Sequence, residues 1–358
     1  MAQASKILVK GGRVFDGENF FYADVLTEGD KIIKIEPDIS DETAFVFDAS
    51  GMTVTPGLVD AHVHMRGISS ETFGIHAEMS SIPFGVTAAA DASGKQGDKA
   101  LLESFLIKGV VFSAVAIKNN HADFTETEES LKRFGDRAVG IKVYFDTANP
   151  ELFDITPLRE SCEFAHARGL SVMVHCTGSP SPMREILDTL GRGDILTHAF
   201  HGGKNNARDD NFESMIQARE RGVIIDAGLA GFVHTHFAIY EDAIRLGIIP
   251  DLISTDITKL SAYKRGSRYG LTTCMSISRH LGMLEEDIFR CVTSNPARAL
   301  GKGDEWGYLR VGRRADIAVF DYTDEGFDMA NKDGYRIKSD TGYRCMLTVA
   351  DGNVVYRH

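Results

Sequence analysis

The chain reads as an α/β protein, a (β/α)8 TIM-like barrel carrying a small β-sandwich formed by both chain ends. Three observations predict this. The middle of the sequence alternates short β-branched or apolar runs with longer amphipathic stretches, the texture of βα units around a parallel sheet. Both ends consist instead of short apolar runs punctuated by Gly, Asp and Pro. Finally, histidines, a lysine and an aspartate stand in or at the ends of the middle runs, where a barrel gathers its polar groups on one face.

From Ile7 to about Thr55 the runs ILVKGGRVF, YADVLTEG, KIIKIEP and TAFVFDASG predict hairpin strands. ADIAVFDY and MLTVADGNVVYRH repeat that texture after a bend at Val311-Gly312. Isolated hairpins are barely stable in water, so the two ends are expected to pair, residues 1–55 with 308–358, beside a barrel of residues 56–307. Candidate barrel strands are Thr53–Asp60, Val86–Asp91, Val110–Ile117, Ala138–Tyr144, Ser171–His175, Asp194–His198, Gly222–Asp226 and Leu252–Asp256. Eight runs fit a closed barrel. An open doubly wound sheet would show the same alternation, so the polar strand ends carry the choice. Helices are expected over Pro157–Arg168, with Pro in the first turn and Gly169 after the end, and over Met183–Leu190.

With 358 residues and 43% hydrophobic composition the chain can bury a core large enough for a barrel and an accessory unit. Its formal charge of -12 opposes binding to nucleic acid or anionic membranes, both of which attract clustered Lys and Arg. A small-molecule substrate is the expected partner. Homo-oligomers are common among such barrels, and one is allowed here. The five cysteines, Cys162, Cys176, Cys274, Cys291 and Cys345, are scattered and never form Cys-x-x-Cys, which fits a reducing compartment. The opening residues lack an apolar stretch of signal-peptide length, and no later run approaches the roughly 18 apolar residues of a membrane span. A cytoplasmic location is expected.

Reading each strand to its C-terminal end yields His62 and His64 after the first, Lys142 within the fourth, His175 ending the fifth, His198 ending the sixth and Asp256 ending the eighth. In extended chain, residues two apart share a face, so His62 and His64 can grip one ion. Taken singly, a strand-end histidine is more often a hydrogen-bonded residue than a ligand, and Asp256 alone could cap a helix. Jointly, five ligand-type residues at the ends of four strands resist explanation by packing, because apolar strands gain nothing from ending on buried imidazoles. Four imidazoles and a carboxylate suit Zn2+ and similar ions, Mn2+ and Fe2+ among them. Lys142 sits in the apolar run AVGIKVYF. A buried ammonium is costly, but burial lowers a lysine's pKa and frees the amine to react with carbon dioxide. The resulting carbamate is an anion that could bridge two ions.

The ordered segments TPGLVDAHVHMR, GIKVYF, VMVHCTG, DILTHAFHGG, LISTDIT, TSNPARALG and GRRADIAVFD resemble the amidohydrolase superfamily, in particular its dihydroorotase-like and deacetylase-like branch. The resemblance spans essentially the whole chain. It implies that His62, His64 and Asp256 bind the more buried of two divalent ions, that His175 and His198 bind the second, and that carboxylated Lys142 bridges them. It also implies a β-sandwich built from both chain ends. Adenosine-deaminase-like members instead use one metal and a His-x-x-Glu after the fifth strand. Here the text is HCTG, which disfavours that subclass.

The expected chemistry is hydrolysis of an amide or ester bond in a small acylated carboxylate metabolite. Two ions would share a hydroxide and polarise the carbonyl, while Asp256 shuttles the proton to the leaving group. A cyclic amidase, opening dihydroorotate or a hydantoin, is the alternative. A more distant one is a scaffold that keeps the fold without catalysis, as in some dihydropyrimidinase-like proteins. A nucleophilic serine is disfavoured by the lack of Gly-x-Ser-x-Gly, and Cys176 should point away from His175. Arg66, in HVHMR, reads either as a substrate-carboxylate clamp or as a surface salt bridge. Tyr144, two residues beyond Lys142, reads as a carbonyl-polarising hydroxyl or as packing. In GLAGFVHTHF, His234 is expected on a substrate-facing loop, and if the region is helical His234 and His236 diverge. His201 and GGKNNARDDN are expected in a loop near the site.

Overall fold

The computed structural model describes residues 5–65, 73–92, 99–264 and 269–358. Its centre is a parallel sheet of seven strands in sequence order: β1 (Leu58–Val63), β2 (Val86–Asp91), β3 (Lys108–Ala114), β4 (Ala138–Tyr144), β5 (Ser171–His175), β6 (Ile195–Thr197) and β7 (Ile224–Asp226). The sheet curls in the manner of a TIM-like barrel. Three strands match their sequence bounds. The expected first strand, Thr53–Asp60, is two elements: Thr53–Pro56 joins the accessory sheet, and β1 starts beyond Gly57. A Cβ at Gly57 would lie 2.1 Å from Thr87 Oγ1, so only glycine allows this crossing between sheets. The run read as Val110–Ile117 likewise divides into β3 and a short strand, Ala116–Lys118. Leu252–Asp256 forms no regular strand. Two isolated parallel bridges, Asp226 with Leu252 and Val63 with Ile257, join it to β7 and β1 on either side.

Residues two apart on a strand share a face, so the interior core and the polar mouth follow from one alternation. Val110, Phe112, Met173 and Ile195 pack inside with Leu300 and Trp306, and two residues beyond Met173 and Ile195 lie His175 and Thr197. Phe112 is fully buried, a contribution of about 1.5–3 kcal/mol. Gly140 on the neighbouring strand is confined from two sides, since a Cβ there would sit 2.5 Å from the Ser171 carbonyl oxygen and 2.7 Å from the Phe112 ring. Parallel register aligns Tyr144, His175, Thr197 and Asp226 in one row at the strand ends.

The helix Thr156–His166 begins with Pro157 in its first turn, and Gly169 follows its end at φ 67°, in agreement with the sequence. A second helix spans Met183–Thr189.

Outside the barrel, a six-stranded sheet runs Asn353–Arg357, Gly342–Ala350, Ile317–Thr323, Thr53–Pro56, Arg13–Phe15, Phe20–Tyr22. A four-stranded sheet runs Lys31–Glu36, Asp24–Glu28, Lys6–Lys10, Phe45–Asp48. Ile7, Val9, Val25, Ile32 and Phe47 share one core with Val54, Ile317, Val319, Leu347 and Val349. The hairpin Phe327–Ala330 with Arg336–Ser339 leaves this region. Among the described residues no helix is long and apolar enough to cross a membrane.

Candidate metal centre

The strand ends bring four imidazoles around one carboxylate. The Nε2 atoms of His62 and His64 lie 3.2 and 2.6 Å from Asp256 Oδ1, and those of His198 and His234 lie 3.7 and 3.9 Å from Asp256 Oδ2. Lys142 Nζ is 3.1 Å from His62 Nε2. His175 closes the group, its ring centroid 4.6 Å from that of His198 and 4.8 Å from that of His234. The backbone is bent to achieve this. His198 and Asp256 adopt φ of 61° and 47°, a left-handed conformation that costs a non-glycine residue about 1–3 kcal/mol and concentrates at functional sites.

Neighbouring groups orient the rings. Thr197 Oγ1 lies 3.0 Å from His62 Nδ1 and donates to Asp226 Oδ2 at 2.7 Å, which assigns the proton of His62 to Nδ1 and leaves Nε2 facing inward. His198 Nδ1 donates to the Gly228 carbonyl at 2.5 Å. Nε2 of His175 is engaged by Thr177 Oγ1 at 3.0 Å and lies 3.5 Å from Asp146 Oδ2, leaving Nδ1 for an ion. Asp60 accepts from the backbone and hydroxyl of Thr255, at 3.1 and 2.6 Å, and ties β1 to the segment that carries Asp256.

Burial governs the charges. It lowers His62 and His198 well below the ordinary imidazole range, and His175 to about 3 despite the hydrogen bond with Asp146. It brings Lys142 down to about 8, opposed by Asp256 and Asp226. Burial alone would raise Asp256, but the imidazoles of His62 and His64 hold its carboxyl well below the usual range. Asp60 and Asp226 are driven up to about 7 and about 6 by burial, against their hydrogen bonds. Burial thus favours the neutral imidazole at His62, His175 and His198 and leaves Asp256 ionised, the protonation states that metal ligands require.

The buried His198 Nε2 has no hydrogen-bond partner, and Asp256 Oδ2 lies 3.7 Å from it, beyond hydrogen-bond reach. Such an orphan normally costs free energy, and a cation between the two atoms would satisfy it. Two triads hold their donor atoms within 4.8 Å of one another: His62, His198 and Asp256, and His175, His198 and His234. The residues therefore fit divalent ions.

The centre opens into a cavity of about 370 Å³ lined by Phe73, Val115, Tyr144, Val233, His234 and Leu260, among others. Through Tyr144, Val233 and His234 it adjoins a second chamber of about 390 Å³, walled by Asp146, His236 and the hairpin residues Asn331, Lys332 and Asp333. A larger recess of about 620 Å³, lined by Arg159, Cys162, His166 and Asp188, includes none of these imidazoles.

His62, His64, Lys142, His175, His198 and Asp256 are thus brought together, with Tyr144 at the rim, its ring stacked 4.2 Å from His175. Arg66 lies outside the described residues. His234 and His236 diverge although residues 234–236 are not helical, the condition under which the sequence predicts divergence: His234 faces Asp256, whereas His236 lies 3.7 Å from Asp333. His201 is fully buried, accepts from Gly203 N and contacts Cys176 Sγ at 3.8 Å, so Cys176 does point away from the centre. Sequence reasoning missed the Thr197–Asp226 relay, Asp60 and Asp146. Asp60 and Asp226 end predicted strands and carried the same signal as Asp256, whereas Asp146 and the hairpin residues carried none.

The sequence pattern of the amidohydrolase family matches residues 53–353. A deacetylase of Brucella anthropi is 28% identical over 311 residues, spanning 80% of this chain and 76% of its own. A deacetylase of Enterococcus faecalis is 26% identical over 370 residues, spanning 97% and 98%. Among solved structures, a dihydroorotase superposes with a TM-score of 0.87 at 24% identity, over 99% of this chain and all of its own, a likeness of fold.

Proposed function

The chain belongs to the amidohydrolase family and is a hydrolase acting on carbon–nitrogen bonds, and from that premise we propose that it is a binuclear metal-dependent deacylase of small acylated carboxylate metabolites. One observation carries the reading: the imidazoles of His62, His64, His198 and His234 converge on Asp256, with His198 Nε2 buried and without a hydrogen-bond partner. The relatives named deacetylase support an acyclic acyl substrate. Zn2+ is the ion best suited to this donor set, with Mn2+ or Fe2+ as substitutes.

Divalent ions held here would supply Lewis acidity toward the substrate carbonyl and lower the pKa of the attacking water. Lys142 acts as a carbamate, and the lowered pKa of its amine favours that reaction. Asp256 is ionised and accepts the water's proton as the oxygen–carbon bond forms, then delivers it to the leaving nitrogen as the carbon–nitrogen bond breaks. The Tyr144 hydroxyl stays protonated because burial raises its pKa, and it donates to the carbonyl oxygen from the rim. Arg66 is the candidate clamp for the substrate carboxylate. Residues 56–307 form the catalytic barrel and residues 1–55 and 308–358 one β-sandwich, a division supported by the core their two sheets share. Five buried cysteines, none of them in a disulfide, favour the cytoplasm.

The test is turnover of N-acetyl amino acids, α-acetoxy acids, dihydroorotate and hydantoins by zinc-loaded protein supplied with bicarbonate, with Asp256→Asn as control. Hydrolysis of an acyclic acyl compound, abolished in the variant, is the expected result. Ring opening of dihydroorotate or a hydantoin would transfer the assignment to the cyclic amidases. Silence together with absence of bound ions would leave a non-catalytic scaffold.

A further inference from the structure

We infer that His234 is a third imidazole ligand of the second ion, with His175 and His198, rather than the substrate contact its loop position suggests. The inference rests on the binuclear reading above and assigns the site an asymmetric donor set: His62, His64 and Asp256 around one ion, three imidazoles around the other.

The geometry separates the two halves. Asp256 Oδ1 faces His62 and His64, while Oδ2 faces His198 and His234. His175, His198 and His234 each place a ring nitrogen within 4.8 Å of the others, and the three rings pack at centroid distances of 4.4–4.8 Å. His198 Nδ1 is committed to the Gly228 carbonyl, so its unpartnered Nε2 is the atom that faces His234 and His175.

The backbone then fixes His234 in place. After β7 the chain turns through left-handed conformations at Gly228, Ala230 and Gly231. A Cβ at Gly228 would meet Thr197 Oγ1 at 2.5 Å and His198 Nδ1 at 2.8 Å, so the loop can fold back over the mouth only because this residue is glycine. The two residues that follow His234 are pinned. Thr235 forms an antiparallel bridge with His201 and donates its hydroxyl to the Ala227 carbonyl, and the backbone of His236 donates to the Phe200 carbonyl at 2.9 Å. His234 is thus anchored to the loop that also carries His198. That preorganisation suits a metal ligand, whose position must be held to a fraction of an ångström.

The test uses full-length protein, stripped by chelator, in bicarbonate buffer. Zn2+ binding is followed by equilibrium dialysis with metal analysis, and Co2+ binding by visible ligand-field absorption, in wild type, His234→Ala, His234→Phe and His175→Ala. The phenylalanine variant retains a ring against His175 and His198 but no donor, so it guards against simple misfolding of the alanine variant. In both His234 variants the first ion should bind as in wild type, and the second about tenfold or more weakly, with altered Co2+ absorption, as in His175→Ala. Wild-type affinity for both ions in the His234 variants, with KM alone raised, would overturn the inference and return His234 to substrate contact. A wild type that holds no pair of ions would instead overturn the binuclear reading, and the inference with it.

Discussion

Thr197→Val tests whether the orientation of His62 is set by the relay beneath it. Valine keeps the shape of threonine and removes one hydroxyl, which now lies 3.0 Å from His62 Nδ1 and donates to Asp226 Oδ2 at 2.7 Å. In the variant, the nearest carboxylate oxygen to His62 Nδ1 would be Asp226 Oδ2 at 3.9 Å, too far for a hydrogen bond. Leaving that buried N–H unpaired costs about 1–3 kcal/mol. Asp226 Oδ2 keeps its bond from Ser254 Oγ at 2.7 Å, so the carboxylate loses one partner and is not stranded. The chelator-treated variant should therefore be about 1–3 kcal/mol less stable in urea unfolding. With the ring no longer held, the ion on His62 and His64 should bind about 10–100-fold more weakly in competition with a zinc indicator. Thr197→Ser retains the hydroxyl and should behave as wild type. A valine variant with unchanged stability and unchanged metal affinity would refute the relay.

Three further outcomes follow from the same structure. Because only the neutral amine of Lys142 reacts with carbon dioxide, a pKa of about 8 makes activation by zinc faster as pH rises. At constant dissolved carbon dioxide its rate should fall roughly fiftyfold from pH 8 to pH 6, and a pH-independent rate would argue against the carbamate. Gly228→Ala, at φ 47° and in collision with Thr197 and His198, should cost about 1–3 kcal/mol in urea unfolding and weaken the second ion. All five cysteines are buried, and burial pushes the Cys162 and Cys176 thiols up to about 12. An aromatic disulfide reagent at pH 8 should therefore modify five thiols rapidly only after denaturation, and rapid reaction of the native protein would contradict the packing.

The sequence by itself determined whatever depends on local order. The switch from hairpin runs to βα alternation located the barrel, and β2, β4 and β5 appear with the bounds their apolar runs predict. Strand polarity did the rest: a residue ending a parallel strand lies at the same mouth as every other, so His62, His64, His175, His198 and Asp256 could be assembled without coordinates. Pro157 and Gly169 marked a helix for equally local reasons. Only the tertiary structure decided what depends on residues distant in the chain. Leu252–Asp256 has strand-like composition, but it joins its neighbours through two isolated bridges and turns at Asp256, where φ is 47° and the carboxylate faces the imidazoles. The Thr197–Asp226 relay exists through the register of β6 against β7, which no residue announces alone. Asn331, Lys332 and Asp333 reach the second chamber from a hairpin that sequence assigns to the accessory region. Whether His234 faces substrate or metal depends on the left-handed turns at Gly228, Ala230 and Gly231 and on bonds to the preceding loop. Backbone direction after a strand is set by such non-local hydrogen bonds and steric limits, and side-chain periodicity does not encode them.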